Sequence, residues 1–421
     1  MGRATAVFAL MAGLGIAVTH GGSASAADLK CGLSNGKAAS GAPIVIGGIV
    51  SITGPDNFSF SGYAAKAYFD CVNANGGING RPVKYEMLDD GWNPEQAAQD
   101  AAKLINDEKA VALVGNMSFV DCGANQGLYD KADVMVVAGV GVPRECFFQK
   151  NYVTTNAGPR VSNTKTLMYV KQKFPTAKRF VCIGTNTPSV GQWECDGPIG
   201  WIKSQGGDGK AILFDPATLD ATSIILQAMA FNPDVISISL PKGLAVPFFQ
   251  AAEEQGLIDK VHWMGPASLY NPTLPAAISK AWDGKVSVDM ELNAASSDGP
   301  DTVNWRAIMD KYSTPDIPRD TFAQAGYLAA RVVAETLLKL DPAKIDRAAV
   351  TAALRKVTRF ESDMFCAPFY IGDAPRHNPN HNGPTSILQD GKLIPQKVCI
   401  DSADPELDDV HAYEKKIGIA Q

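Results

Sequence analysis

The feature that most constrains this chain is an alternation of short β-rich runs with longer helical patterns, carried through twice from residue 43 onward. In the first round, strands are expected at 44–49, 83–88, 111–114 and 134–138, with helices at 62–74, 94–106 and 121–130. Pro94 behind Asn93 marks one helix start, because proline lacks an amide that the first turn leaves unpaired and asparagine caps its neighbours. The second round places helices near 163–173, 191–205, 223–230 and 244–255, and strands at 180–183, 211–214, 235–239 and 261–265. Strands alternating with helices imply mainly parallel sheets covered on both faces, an α/β architecture. Two such rounds imply two similar lobes, expected over 43–157 plus 290–364 and over 158–289 plus 365–400, with 401–421 as a C-terminal tail. The return leg reads as helices at 302–312, 322–340 and 346–356, then extended pieces at 365–371 and 386–388. No low-complexity linker separates the halves, so the lobes are expected to touch rather than hang on a tether.

The N-terminal residues read as an export signal. Arg3 is a short positive region, 4–18 is uncharged and apolar, and Ala24, Ser25 and Ala26 supply small residues for cleavage. Such a run is too short to span a bilayer, which takes about 20 residues. A signal peptide over 1–26 is expected, cleaved after Ala26 or Ala27, which would deliver a soluble chain to the periplasm. Lys30 precedes Cys31, so the small residue that lipid attachment requires is missing. Loss of Arg3 moves the formal charge from -6 to -7, which offers no electrostatic attraction to nucleic acid or anionic lipid. A mature chain of about 390 residues suggests two domains.

All eight cysteines, Cys31, Cys71, Cys122, Cys146, Cys182, Cys195, Cys366 and Cys399, follow the signal. An even count in an exported chain favours disulfides. Connectivity is not readable from sequence; neighbour pairing (31–71, 122–146, 182–195, 366–399) is the arrangement considered. No Cys-x-x-Cys occurs, which argues against a redox or zinc-ribbon role.

Catalytic signatures are missing. The sequence has no His-Glu-x-x-His, no phosphate loop and no Gly-x-Ser-x-Gly, so a secreted hydrolase would lack its nucleophile elbow. His377 and His381 are four apart, but Pro379 lies between them, and a surface loop is expected rather than a metal site. Asp89 and Asp90 are adjacent on a strand and point to opposite faces, which suggests a strand end in a solvated turn. No catalytic residue, metal or cofactor is expected, and the chain reads as a non-enzyme.

Several segments resemble the leucine/isoleucine/valine-binding family of type I periplasmic solute-binding proteins. Ile46-Gly47-Gly48-Ile49 through Thr53-Gly54-Pro55 is similar to the family's first strand and turn. Asn75-Gly76-Gly77-Ile78-Asn79-Gly80-Arg81-Pro82-Val83 resembles its turn between first helix and second strand. Asp89-Asp90 with Pro94 and Ala97-Ala98, Ala251 through Leu257, and Met264-Gly265-Pro266 match further strand and helix ends. The resemblance implies two lobes joined by a hinge, a small-molecule ligand trapped between them, and a monomer that delivers it to the membrane permease of an ABC importer. A sensor feeding a membrane kinase or chemoreceptor shares this fold; permease and ATPase genes nearby would favour import.

In an open parallel sheet, ligands bind beyond the carboxyl ends of the strands, and hinge closure buries them. The resemblance therefore places the cleft at 116–119 and 139–142 in one lobe and at 187–192, 240–242 and 267–270 in the other, with 57–60 as a rim. The candidate contacts are Phe58, Phe60, Ser118, Phe119, Val140, Val142, Val190, Pro241, Ala267, Tyr270 and Tyr327. Val140 and Val142 equally fit packing at a strand end, Phe58 and Phe60 equally fit the core, and Phe322 and Tyr327 on a long helix fit the core better. Amino-acid binders of the family hold the ligand carboxylate with hydroxyls at positions that fall on Phe119 and Val142, and the ammonium with a carboxylate at Ala267. An α-ammonium would then have no counter-charge, at a cost of several kcal/mol if buried unpaired. The expected ligand is an apolar or aromatic small molecule, an acid or an uncharged amide, rather than a standard amino acid.

Overall fold

The computed structural model describes residues 1–2 and 29–419. The expected signal segment falls almost entirely on 3–28 and so lies outside the described residues. Among the described residues, no helix is long and apolar enough to cross a membrane.

The first sheet holds β1 (Ile44–Val50), β2 (Val83–Asp89), β3 (Leu113–Val114), β4 (Met117–Ser118), β5 (Val136–Ala138), β6 (Val140–Gly141) and β7 (Tyr152–Thr154). β1 is central: it pairs in parallel with β2 on one side and with β3 and then β4 on the other. β5 joins β3, β7 joins β5 and β6 joins β4, again in parallel. Helices α1 (Phe60–Ala74), α2 (Pro94–Ala102) and α3 (Asp121–Ala132) follow β1, β2 and β4. The Asn93 side chain accepts from the Gln96 amide at 3.0 Å, which fixes the start of α2. The stretches 116–119 and 139–142, expected as loops, contain the short strands β4 and β6. Gly115, at φ 74°, breaks β3 from β4 with a backbone that other residues rarely adopt. At Gly139 a Cβ would lie 1.8 Å from Ser61 Oγ, so only glycine lets the β5–β6 break approach α1.

The second lobe begins with α4 (Pro159–Lys173). Its sheet takes β8 (Arg179–Thr185), β9 (Asp208–Phe214), β10 (Val235–Ile238), β11 (His262–Gly265) and β12 (Val286–Asp289). These run in parallel, in the order β12-β11-β10-β8-β9. Helices α5 (Gly191–Ser204), α6 (Ala221–Met229), α7 (Lys242–Glu254) and α8 (Leu274–Ala277) connect them.

The chain then returns to the first lobe as α9 (Pro300–Tyr312), α10 (Thr321–Leu337) and α11 (Arg347–Leu354). α10 packs directly on α1: a Cβ at Gly326 would lie 2.0 Å from the Ser61 carbonyl oxygen. Phe365, Phe369 and Ile371 join the same core as Trp305 and Tyr327. The chain thus leaves the first lobe after Ile371, later than the boundary at 364/365 expected from sequence, because these apolar side chains bury against α9 and α10 rather than across the cleft. After β13 (Asn382–Gly383), β14 (Thr385–Gln389) and β15 (Lys392–Pro395) add an antiparallel edge to the second sheet beside β12. The C-terminal residues form β16 (Ile400–Asp401), paired with β13, and α12 (Asp408–Ile417). Arg160 anchors this end through Asp404 at 2.5 and 2.9 Å.

Three crossing segments meet between the lobes. The Gly158 amide donates to Glu291 Oε1 at 3.0 Å, and Asn380 Nδ2 donates to the Thr155 carbonyl at 2.8 Å and the Glu291 carbonyl at 3.3 Å. His377 and His381, expected on a surface loop, lie in the interior beside this junction. His377 Nδ1 reaches the carbonyl oxygens of Gln149 at 3.0 Å and Tyr152 at 3.2 Å. Burial pushes it down to about 4, so it is held neutral. Asp90, expected in a solvated turn, is also buried and is bonded by the Ser51 hydroxyl at 2.7 Å and by the Ser118 hydroxyl. In each case the chain context supplied partners that a local reading cannot see.

The cysteines pair as 31–71, 122–146, 182–195 and 366–399. Each bridge joins sequence neighbours, the arrangement considered from the sequence.

Candidate ligand-binding cleft

The carboxyl ends of the two sheets face one another around a cavity of about 230 Å³. That is somewhat below the roughly 300 Å³ at which drug-sized sites begin, so it suits one small molecule. One wall is aromatic and belongs to the first lobe. Trp92 stacks on Phe119 with ring centres 4.0 Å apart and planes 16° apart. Phe58 lies 4.8 Å from Phe119 and 5.7 Å from Phe322. Trp92 takes a left-handed backbone, φ 63°, just past the end of β2. Its amide donates to Asp90 Oδ1 at 2.9 Å and its indole N–H to the Asp56 carbonyl at 3.0 Å, which together fix the ring toward the cavity. Val140 and Val142 flank this wall. The Asn156 side chain steadies β6 by accepting from the Gly141 amide at 2.9 Å and donating to its carbonyl at 3.1 Å.

The second lobe contributes Val190, Pro241, Leu244 and Ala267. The Ala267 amide donates to Ser162 Oγ at 2.9 Å, and Ser162 in turn donates to Asp289 Oδ2 at 2.6 Å. Asp289 forms a fully buried pair with Lys165 at 3.3 Å. Across the cleft mouth the lobes touch: the Arg144 amide donates to the Ser189 carbonyl at 2.8 Å, and the Ser189 hydroxyl to Glu145 Oε1 at 2.6 Å.

Two buried carboxyls line the cavity, Glu194 from α5 and Glu291 from the second crossing segment. Burial raises Glu194 well above the usual carboxylate range, with a hydrogen bond to Ser239 opposing. Burial, aided by the charge of Asp289, pushes Glu291 up to about 8, while Lys165 and the Gly158 amide pull the other way. Glu291 Oε2 has no hydrogen-bond partner. Asp56 stands nearer the mouth, also raised by burial. Among the described residues no lysine, arginine or histidine lines the cavity.

Of the residues singled out from sequence, Phe58, Phe119, Val140, Val142, Val190, Pro241 and Ala267 come together here. Four do not. Phe60 starts α1 and packs against the first core. Ser118 is turned inward to Asp90 and to the amides of Val120 and Asp121. Tyr327 is core, edge-on to Tyr68 at 5.2 Å and bonded to Asn304 at 3.1 Å. Tyr270 lies in a separate recess with Asp320. Phe322, weighed as core, lines the cavity instead. Trp92, Asp56, Glu194 and Glu291 were not found by sequence reasoning. The strand-end rule could have flagged Trp92, which sits just beyond β2. Glu291 follows β12, a strand that the sequence pattern did not reveal. Ala267 brings no carboxyl to the cleft; Asp56, Glu194 and Glu291 supply acids from other elements.

Residues 43–391 match the family model for periplasmic binding proteins. A 66-residue stretch is 35% identical to an amino acid binding protein of Pseudomonas aeruginosa, covering 16% of this chain and 18% of that protein. Among solved structures, a fatty acid ABC transporter substrate-binding protein from Thermomonospora curvata superposes with a TM-score of 0.76 at 18% identity, over 89% of this chain and 96% of that one. An R. palustris ABC transporter solute-binding protein in complex with 4-hydroxybenzoate gives 0.71 at 20% identity, over 87% and 100%. A leucine-binding protein from Thermotoga maritima gives 0.69 at 18% identity, over 86% and 99%. At such identities these structures speak for the fold alone. With two mainly parallel sheets facing one cleft across three crossings, and with the family match running through both, this chain belongs to the periplasmic binding protein family.

Proposed function

We propose that the chain is the extracytoplasmic solute-binding component of an ABC importer, and that it takes an apolar or aromatic small molecule rather than a standard amino acid. It acts without catalysis, as a monomer in the periplasm, and hands its ligand to a membrane permease. The carrying observation is the aromatic wall of Trp92, Phe119, Phe58 and Phe322 in a cavity with no cationic side chain among the described residues. Phe119 and Val142 stand where an amino-acid binder presents hydroxyls, so nothing charged is offered to an α-carboxylate. Aromatic faces bury large apolar area and favour a flat partner. The ligand contacts in this reading are Phe58, Trp92, Phe119, Val140, Val142, Val190, Pro241, Ala267 and Phe322.

The test is a melting-temperature screen of the purified protein against branched amino acids, aromatic acids, amides and aromatic amines. A ligand that binds only the folded state adds roughly 2.7 kcal/mol at one hundred times its dissociation constant, enough to read as a shift. The expected result is a shift with a non-amino-acid solute that Trp92→Ala abolishes. A dominant shift with leucine or valine refutes the ligand class, and a shift that survives Trp92→Ala refutes the site.

A further inference from the structure

We propose that the ligand carries a protonated amine and no carboxylate, with its apolar body on the Trp92–Phe119 wall and its ammonium on Glu291. This rests on the reading of the cleft as the ligand site. The cavity is lined by Glu194, Glu291 and Asp56 and, among the described residues, by no basic side chain. Burial holds these carboxyls toward their neutral form, and a cation brought beside one of them is the partner that favours its carboxylate. Glu291 is the specific partner. It is 2% exposed, one oxygen is taken by the Gly158 amide, and the other is buried without a partner. An unmet buried carboxyl oxygen is costly, and a charged donor is the strongest group to meet it. Glu194 is held further toward its neutral form by burial and already has Ser239 as a hydrogen-bond partner, so Glu291 is the primary contact.

Burial and Asp289 oppose a carboxylate at Glu291, but other neighbours would support one once an ammonium is beside it. Glu291 sits at the N-terminus of α4, whose aligned peptide dipoles favour negative charge there. Lys165 lies nearby, although Asp289 at 3.3 Å already neutralises it. The aromatic faces of Trp92 and Phe119 add attraction for a cation held close to the rings. Position matters as well. Glu291 belongs to a crossing segment, and its carbonyl accepts from Asn380 on another. An ammonium held there would touch both the ligand pocket and the junction at which the lobes pivot.

The experiment titrates three probes of similar shape into the full-length mature protein by calorimetry: benzylamine, benzyl alcohol and benzoate. Benzylamine is expected to bind at least tenfold more tightly than either of the others. Glu291→Gln is expected to reduce benzylamine affinity at least tenfold and to leave benzyl alcohol within twofold, with the melting temperature confirming that the variant folds. Preference for benzoate or benzyl alcohol, abolished by Trp92→Ala, keeps the cleft as the ligand site and overturns the amine. Benzylamine binding that Glu291→Gln leaves unchanged also overturns it. Failure of all three probes at millimolar concentration counts against the cleft itself and takes the inference with it.

Discussion

Replacing Glu291 by Gln should make this protein more stable near neutral pH, although the residue lines the binding cleft. The amide oxygen can still accept from the Gly158 N–H, now at 3.0 Å from the carboxyl, so the junction keeps its bond. What changes is the proton. Burial and Asp289 hold Glu291 up to about 8 in the folded protein, against 4.5 for an ordinary glutamate. Between those two values the unfolded chain has released a proton that the folded chain retains. Stability of the wild type therefore falls as pH rises through this window, and the loss is absent below 4.5. Each tenfold difference in proton affinity between the folded and unfolded chain is worth about 1.4 kcal/mol, so the penalty reaches about 3 kcal/mol at pH 7 and flattens above about pH 8. The groups facing Glu291 are Asp289, Lys165 and the Gly158 and Ala157 amides. None of them is altered in the variant, so the difference between the two proteins isolates this carboxyl. Calorimetric unfolding of both proteins from about pH 4 to about pH 8 reads it directly. The curves should coincide at the acid end and diverge upward for Gln. A gap independent of pH, or a variant less stable at pH 7, would refute the reasoning. A stabilising substitution that costs ligand affinity is the familiar exchange at binding sites.

Three further outcomes follow from the packing. Gly326→Ala drives a Cβ to within 2.0 Å of the Ser61 carbonyl between α1 and α10, and should destabilise by about 1–3 kcal/mol in denaturant unfolding, whereas an exposed Gly200→Ala should not. Replacing Cys182 and Cys195 together by Ala removes a cross-link spanning 13 residues between β8 and α5, and should cost about 3 kcal/mol by the same measurement. His381 bonds Asp401 at 2.6 Å and Glu414 at 2.7 Å; against burial, which lowers it, these partners hold it up to about 9. The stability lent by that charge is fully present below 6.5 and is lost as pH rises through 9, so protection factors for hydrogen exchange in α12, corrected for the intrinsic pH dependence of exchange, should fall across that interval in the wild type and stay constant in His381→Gln.

Much of the fold could be read before any coordinates. The buried Ile-Val run of β1, the Asn93-Pro94 start of α2 and the long apolar helix α10 declare themselves locally, because backbone period and capping are properties of a few neighbouring residues. The formation of disulfides was also legible from an even cysteine count, but not their pairing, and the strand-end positions Phe58, Phe119, Val140, Val142, Val190, Pro241 and Ala267 do lie around the cavity. Some of the shortest strands were not legible. β4, β6 and β12 carry too few positions for a period to show, and their edges are made by partners far away in sequence.

The side-chain directions belonged to the tertiary structure. Ser118 and Phe119 are adjacent, yet one turns inward to Asp90 and the other stacks on Trp92. Tyr327 and Phe322 share one helix, five residues apart, and only Phe322 reaches the cavity. Sequence determined the two-lobed α/β plan, because alternation of strand and helix is a local pattern repeated twice. It could not determine which carboxyls face the cavity. Glu194 and Glu291 lie nearly a hundred residues apart on different elements, and only the closing of two lobes around one space brings them to one cavity, which among the described residues holds no cation. Burial, and with it the proton that Glu291 keeps, is a property of everything packed around the residue rather than of the residue itself.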